Sequence, residues 1–449
     1  MALNDAAWLP KKVFPIDIQK LRQGWYTDAY FTNIVRIMER LAQEGYTFQG
    51  TASLPHLDCS KVATGDLEVE MQFFSRRKPL GVIVGIEEAL TILKECTGYF
   101  NQDGIFVNTY DQLEVEAVPE GTIVEYNGDP LQIRPILRIK GKYSHFAMLE
   151  TPVLGVLTES TRIATNVFQA LKAANGKNLL FFPARFSHYC LQAVHGYAYK
   201  MAVDVYNKKY GKECQAFVST EAQGQWWEAH GSGTTAHAYI AVFLGDTVET
   251  MLQFARILSP QIPRIALVDF HNDCVGETIK VMEAMFREFY RLKMSGEDQE
   301  AERYRLFGVR MDTSGNMVDK SIQPLGDKKL DCGVNPRLVW NVKKAIEESY
   351  QNWTELDPAG MEIAKQWCRD IKIVATGGFN LQRIGEFEKL GVPVDLYGVG
   401  SSLLANCSHC ETTSDFTADI VGVKINNQWE PLAKVGRKAS DNPDLKKIN

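Results

Sequence analysis

Ile371-Lys-Ile-Val-Ala-Thr-Gly-Gly378 and Val394-Asp-Leu-Tyr-Gly-Val-Gly-Ser-Ser402 are two apolar runs that each break into glycines. Two further runs end in acids instead: Arg264–Phe270 leads into His271-Asn-Asp273, and Leu306–Met311 into Asp312-Thr-Ser-Gly315. Strands that end in small or acidic residues are how an α/β barrel builds a site at one rim. Glycines let the backbone approach a phosphate, and acids hold ribose hydroxyls or a cation, so the mixture suits a phosphorylated, metal-bound ligand.

Outward from these runs, the chain beyond residue 150 repeats strand–loop–helix units. Helices are expected over 159–175, 187–208, 235–257, 276–293, 338–350 and 381–390. Strands are expected over 178–182, 214–219, 264–270, 306–311, 371–375 and 394–397. That order favours parallel strands with crossover helices. Six or seven strands fall short of the eight of the commonest barrel, so the expected architecture is an irregular α/β barrel. Residues 1–150 read as a mixed α/β domain, with an amphipathic helical stretch over 17–45 and a strand-rich segment over Gly121–Lys140. Residues 415–435 read as strands that return to the first domain. The expected division is 1–150, 151–405 and 406–449.

The 449 residues are 45% hydrophobic and 23% charged, the balance of an ordinary globular chain. A net charge of -6 with a pI near 5.9 argues against a general nucleic-acid binder. An anionic substrate must then be held by local Arg, Lys and backbone N–H groups. No apolar run reaches the ~20 residues that a membrane helix needs. Met1–Pro10 lacks a basic segment followed by an apolar one, so no signal peptide is expected. Nine scattered Cys with no framework spacing are expected to be reduced thiols of a cytoplasmic chain. Cys407-Ser-His-Cys410 has the spacing of half a zinc site, but a second CxxC is missing, so packed or incidental cysteines are the favoured reading.

Candidate chemistry gathers at the run ends. Arg310 and Asp312 are two apart, which places them on one face of a strand, as an ion pair or as a phosphate ligand beside a ribose or metal ligand. Of Asp269 and Asp273, one is expected to cap the following helix. His237 closes Gly233-Thr-Thr-Ala-His237, where a turn opens a helix; His188, His195 and His230 are its rivals. Phe182 and Arg185 straddle a strand end, where a ring and a guanidinium can hold a flat heteroaromatic acid. Trp226-Trp227 is read as packing.

At these residues the chain resembles nicotinate phosphoribosyltransferase. Val374–Ile384 and Phe387–Leu403 carry the resemblance most specifically. Gly308-Val-Arg-Met-Asp312, Gly233–His237, Asp415-Phe-Thr-Ala-Asp419 and Thr27-Asp-Ala-Tyr30 support it, so the matches span nearly the whole chain. The resemblance implies a type II phosphoribosyltransferase fold and a homodimer with sites at the interface. The reaction it implies joins nicotinate to 5-phosphoribosyl 1-diphosphate, giving nicotinate mononucleotide and pyrophosphate. ATP is the co-substrate through a phosphohistidine, Mg²⁺ is the cofactor, and no residue is assigned as its ligand. By position, His237 matches the phosphorylated histidine, and Arg310 and Asp312 match contacts to the phosphoribosyl group. Gly377, Gly378, Gly398 and Gly400 match the phosphate cradle, with Ser314 and Ser401 beside it. Phe182 and Arg185 match the pyridine-holding pair, Tyr30 would reach a partner subunit's site, and Asp269 joins His237 and Asp312 as a catalytic acid. The family's Phe-Gly-x-Arg stands here as Phe182-Pro-Ala-Arg185, its Gly-Thr-Ser stretch as Ser219-Thr-Glu221, and its Asp-Ser-Gly as Asp312-Thr-Ser-Gly315. Glu221 lies where the related nicotinamide enzymes place an acid that accepts from a substrate amide. The nicotinamide reaction and a non-catalytic phosphoribosyl-binding paralogue are therefore the alternatives.

Overall fold

A computed structural model describes residues 14–52 and 54–449; the leader reading at Met1–Pro10 lies outside the described residues. The chain divides into two compact units, one reaching to Asn166 and resuming at Ala405–Asn449, the other spanning Val167–Leu404.

The first unit is built on a six-stranded sheet whose strands come from both ends of the chain. Glu68–Ser75 lies between Leu137–Lys142 and Phe416–Ile425, and pairs antiparallel with both. Its apolar residues Val69, Met71 and Phe73 recur at period two and pack with Ile139, Val115 and helix Ile86–Cys96. That helix starts after Gly85, whose φ of 102° suits a glycine. Its N-terminal N–H groups are capped from outside the helix: Glu120 accepts from Gly85 (2.6 Å) and Glu87 (2.9 Å). The helical stretch expected over 17–45 forms as two helices, Ile18–Arg22 and Ala29–Gln43.

The second unit holds six parallel strands: β1 Asn178–Phe181, β2 Phe217–Val218, β3 Ile265–Leu267, β4 Gly308–Met311, β5 Lys372–Ala375 and β6 Leu396–Val399. Their order in the sheet is β3-β4-β5-β6-β1-β2. The order is cyclic, so the sheet curls as a barrel does and its one gap falls between sequence neighbours β2 and β3. The segment after β2 spans that gap. Ser232 donates its N–H to Val218 O of β2 (2.8 Å). Thr235 Oγ1 donates to Ile265 O (3.0 Å) and accepts from Leu267 N (2.9 Å), both on β3. Register then decides which residues face inward: Leu267, Arg310, Val374 and Leu396 are successive partners across β3 to β6. Val374 and Leu396 pack with Leu180 and Ile265 in one buried cluster. Helices cover the outer face, where Tyr199 of helix Gln192–Tyr210 stacks on Phe181 and donates its hydroxyl to Leu179 O (2.6 Å).

The single helix expected over 235–257 is two, His237–Val242 and Thr247–Ile257. Leu244 (φ 57°) and Gly245 (φ 87°) turn left-handed between them, which stops the first helix, and Asp246 caps the second. Helix Pro358–Asp370, opened by Asp357 as cap and Pro358 at its first position, was not expected. Cys407 and Cys410 are joined as a disulfide, which corrects the expectation of incidental thiols, while seven cysteines among the described residues are free. No helix among the described residues is long and apolar enough to cross a membrane.

Candidate active site

The carboxyl ends of β3 to β6 place the site. Arg310 is two residues before the acid Asp312 on β4 and faces the concave side, as its register partners do. Its guanidinium is nearly buried, 9% exposed. Nη2 donates to Thr235 O (2.9 Å), Nη1 lies 3.6 Å from Asp312 Oδ2, and Nε is buried with no partner. Burial and the nearby Arg185 push its pKa down, while Asp312 and Asp269 oppose that. A buried guanidinium with an idle donor is built for an anion that is not part of the chain.

On the neighbouring strand end, Thr376 donates its hydroxyl to Met311 O (2.8 Å), tying β5 to β4. Gly377 (φ 89°) and Gly378 (φ 72°) then turn left-handed. A Cβ on Gly377 would also stand 3.2 Å from Asp312 Oδ1, so backbone strain and close approach both select glycine. Among the described residues no acceptor takes the N–H of Gly377 or Gly378. Gly398 and Gly400 have a different reason to be glycine. A Cβ on Gly398 would meet Thr376 Cγ2 at 2.4 Å, and one on Gly400 would meet the Phe186 ring at 2.7 Å. They let β6 pack against its neighbours. Ser401 opens the turn Ser401–Leu404, and Ser402 Oγ donates to Phe379 O (2.9 Å). Ser314 is exposed in the loop after Asp312.

His237 and Asp269 meet at the end of β3, with Nε2 3.0 Å from Asp269 Oδ1. The imidazole is half exposed and the carboxylate is 7% exposed. Burial raises the pKa of Asp269, His237 lowers it, and the Asp312 charge raises it again. Asp273 is the helix cap of the pair and accepts from Gly276 N (3.0 Å). Asp269 and Asp312 are thus two carboxylates on adjacent strand ends, close enough to feel each other. No cluster of three metal-ligating side chains exists among the described residues. Two carboxylates fit Mg²⁺, which is usually bound by one or two such groups together with substrate phosphates.

A cavity of about 400 Å³ runs inside the curl of the sheet, walled by Leu180, Phe217, Ile265 and Leu396 and reaching Phe182 and Gly233-Thr234. Phe182 belongs to it. Arg185 is exposed and lies over the Phe186 ring (5.1 Å) instead of pairing with Phe182. Glu221 is also outside it. It accepts from Gly231 N (3.1 Å) and pairs with His230 Nδ1 (2.9 Å), the contact that chiefly lowers its pKa. The His230 partner was not visible in the sequence. Tyr30 belongs to the first unit, where it is exposed and donates to Asp28 (3.0 Å). Of the rival histidines, His195 is buried in helix Gln192–Tyr210 and His188 caps a short turn. Thr235 and Arg383 were not foreseen as site residues. Thr235 sat inside the quoted Gly233–His237 motif, and Arg383 inside Val374–Ile384, but nothing in either spacing announced a role.

Residues 47–161, all within the first unit, match the family model described as quinolinate phosphoribosyl transferase, N-terminal domain. Among solved structures, the chain is similar to a nicotinate-nucleotide pyrophosphorylase from Pyrococcus furiosus, at 23% identity over 95% of this chain and 81% of that one, with a TM-score of 0.60. It is also similar to human nicotinic acid phosphoribosyltransferase, at 14% identity over 89% of this chain and 75% of that one, with a TM-score of 0.54. The fold is therefore the irregular α/β barrel of the type II phosphoribosyltransferases.

Proposed function

We propose that this protein transfers the phosphoribosyl group of 5-phosphoribosyl 1-diphosphate to nicotinate, releasing pyrophosphate and forming nicotinate mononucleotide, with ATP as co-substrate. The observation that carries this reading is the pairing of a buried guanidinium with an idle Nε, that of Arg310, with the free N–H groups of the Gly377-Gly378 turn on the next strand. Both are donors preset for phosphate oxygens. In this reading Arg310 and the glycine turn hold the donor's phosphates. As pyrophosphate leaves, C1 of the ribose becomes cation-like and the ring nitrogen of the base attacks it. Asp312 supplies a fixed negative charge for that moment. Bound Mg²⁺, held by Asp312 with the diphosphate, would neutralise the leaving group. His237 has Nε2 engaged by Asp269, which leaves Nδ1 to take the γ-phosphoryl group of ATP and pass it to water.

Two observations bear on the base. The match of residues 47–161 favours quinolinate as the second reading. Glu221 is exposed and paired with His230 and Gly231 N, outside the cavity that reaches Phe182, which makes nicotinamide the base to compare last. The test is pyrophosphate release from 5-phosphoribosyl 1-diphosphate with Mg²⁺, with and without ATP, against nicotinate, quinolinate and nicotinamide. Release with nicotinate, stimulated by ATP, is expected. Release with quinolinate, accompanied by CO₂, would move the protein to the second reading. Release with none of the three would sink the assignment.

A further inference from the structure

Arg383, on helix Leu381–Lys389 behind the glycine turn, has no part in the reaction as described so far. Its guanidinium donates Nη1 to Gly377 O (2.6 Å) and Nη2 to Val334 O (2.6 Å). It lies over the Phe379 ring at 4.3 Å and near Phe387 at 5.8 Å, so its direction is fixed by packing. Burial lowers its pKa, and among the described residues it forms no ion pair with a carboxylate. A half-buried cation whose partners are carbonyls serves those carbonyls.

Gly377 O and the N–H of Gly378 belong to one peptide unit. A trans peptide points its C=O and its N–H in opposite directions. With the carbonyl fixed on Arg383, the Gly378 N–H is aimed away from the helix. A cationic donor on the carbonyl also polarises the peptide and strengthens the N–H as a donor. The second bond, to Val334 O, ties the turn to the far end of the loop that begins at Asp312. The end of β5 and the start of helix Pro336–Glu348, which follows β4, are thereby joined by a single side chain.

We propose that Arg383 is the positioning residue of the phosphate site: it fixes and polarises the Gly377-Gly378 peptide so that this peptide binds a phosphate group of the phosphoribosyl donor. The inference rests on the function proposed above. Its test compares Arg383→Met and Arg383→Lys with the wild type in steady-state kinetics, in γ-phosphate labelling of His237, and in calorimetric titration with sodium pyrophosphate. Arg383→Met is expected to raise KM for 5-phosphoribosyl 1-diphosphate and weaken pyrophosphate binding by tenfold or more. KM for the base and the labelling of His237 stay within about twofold. Lysine can reach one carbonyl, so Arg383→Lys falls between; it also serves as the test if the Met variant does not fold. An unchanged donor KM, or equal losses in donor KM, base KM and labelling, would overturn the inference. So would a Lys variant equal to the wild type, since charge alone would then suffice. If the wild type turns over no pyridine, the proposed reaction fails, and the pyrophosphate titration still decides the role of Arg383. Unweakened binding in Arg383→Met, or no binding by the wild type, rejects it.

Discussion

Arg264 and Arg310 stand at opposite ends of the same parallel sheet, and the chain treats them differently. Arg264 precedes β3 and is 2% exposed. Its five N–H groups reach five carbonyls: Nε to Arg303 (2.8 Å), Nη1 to Ser259 (2.6 Å) and Ile262 (2.5 Å), Nη2 to Ala255 (3.2 Å) and Leu258 (2.9 Å). Four of those carbonyls lie at or beyond the C-terminal end of helix Thr247–Ile257, where a cation is favoured. Arg310 is almost as buried, yet its Nε is idle. A saturated guanidinium is a piece of architecture, and an unsaturated one is waiting for something. In a barrel the first belongs at the amino ends of the strands and the second at the carboxyl ends.

The largest effect that could break this contrast is in activity. Arg310→Met is expected to lower kcat/KM for pyrophosphate release by about 10²–10³-fold, ~3–4 kcal/mol, as loss of a preset charge donor does. Its urea midpoint should move little; a variant that unfolds early would make Arg310 as structural as Arg264. The converse substitution, Arg264→Met, removes five hydrogen bonds to largely shielded carbonyls and should cost about 3 kcal/mol of stability in urea unfolding. Its folded fraction should keep wild-type kcat. A smaller effect is expected of Asp269→Asn, since this carboxylate acts through His237: labelling of His237 by ATP should slow by roughly 10-fold, the scale of losing an orienting partner. Pyrophosphate release measured without ATP should persist, and its disappearance would place Asp269 in direct contact with the donor.

The smallest effect extends the contrast to buried acids, in the first unit. Burial raises Glu87 to about 8 and Glu88 to about 7, and Glu120, though it caps a helix, is raised to about 7. Each is therefore protonated in the folded chain at pH values where the unfolded chain, near 4.5, has already ionised. The stability they contribute is fully present below pH ~4.5 and is lost as pH rises through 7–8. The melting temperature should fall between pH 5 and pH 8.5, and Glu87→Gln should flatten that slope. A profile unchanged by the substitution would show that Glu87 is solvated.

The strand ends were legible because they were short apolar runs stopped by residues with an obvious turn preference, as at Thr376-Gly377-Gly378. The runs overshot their amino ends: Arg264 and Leu306 were read into strands that begin at Ile265 and Gly308. Arg264 is spent on helix carbonyls, a contact no local pattern reveals. The pairing of Arg310 with Asp312 was visible at spacing two. The idle Nε was not, because it depends on where Thr235 O falls after a loop of irregular backbone. Arg185 and Glu221 have local partners that no spacing announced, the Phe186 ring and His230. Helix Pro358–Asp370 was legible too, with Asp357-Pro358 as its start signal and Gly360, Ala364, Trp367 and Cys368 at helical spacing, but it falls outside the strand–loop–helix repeat read from the strand ends.

The first unit's sheet has a consequence in time. Glu68–Ser75 finds its partner in Phe416–Ile425, with Ser75 opposite Phe416, and every residue of Val167–Leu404 is made between the two. At ~5–20 residues per second a ribosome delivers the second strand roughly 17–70 s after the first. For that interval the nascent chain exposes one long apolar strand edge, the kind that recruits unwanted partners. A message truncated before residue 416 would leave that edge open for good.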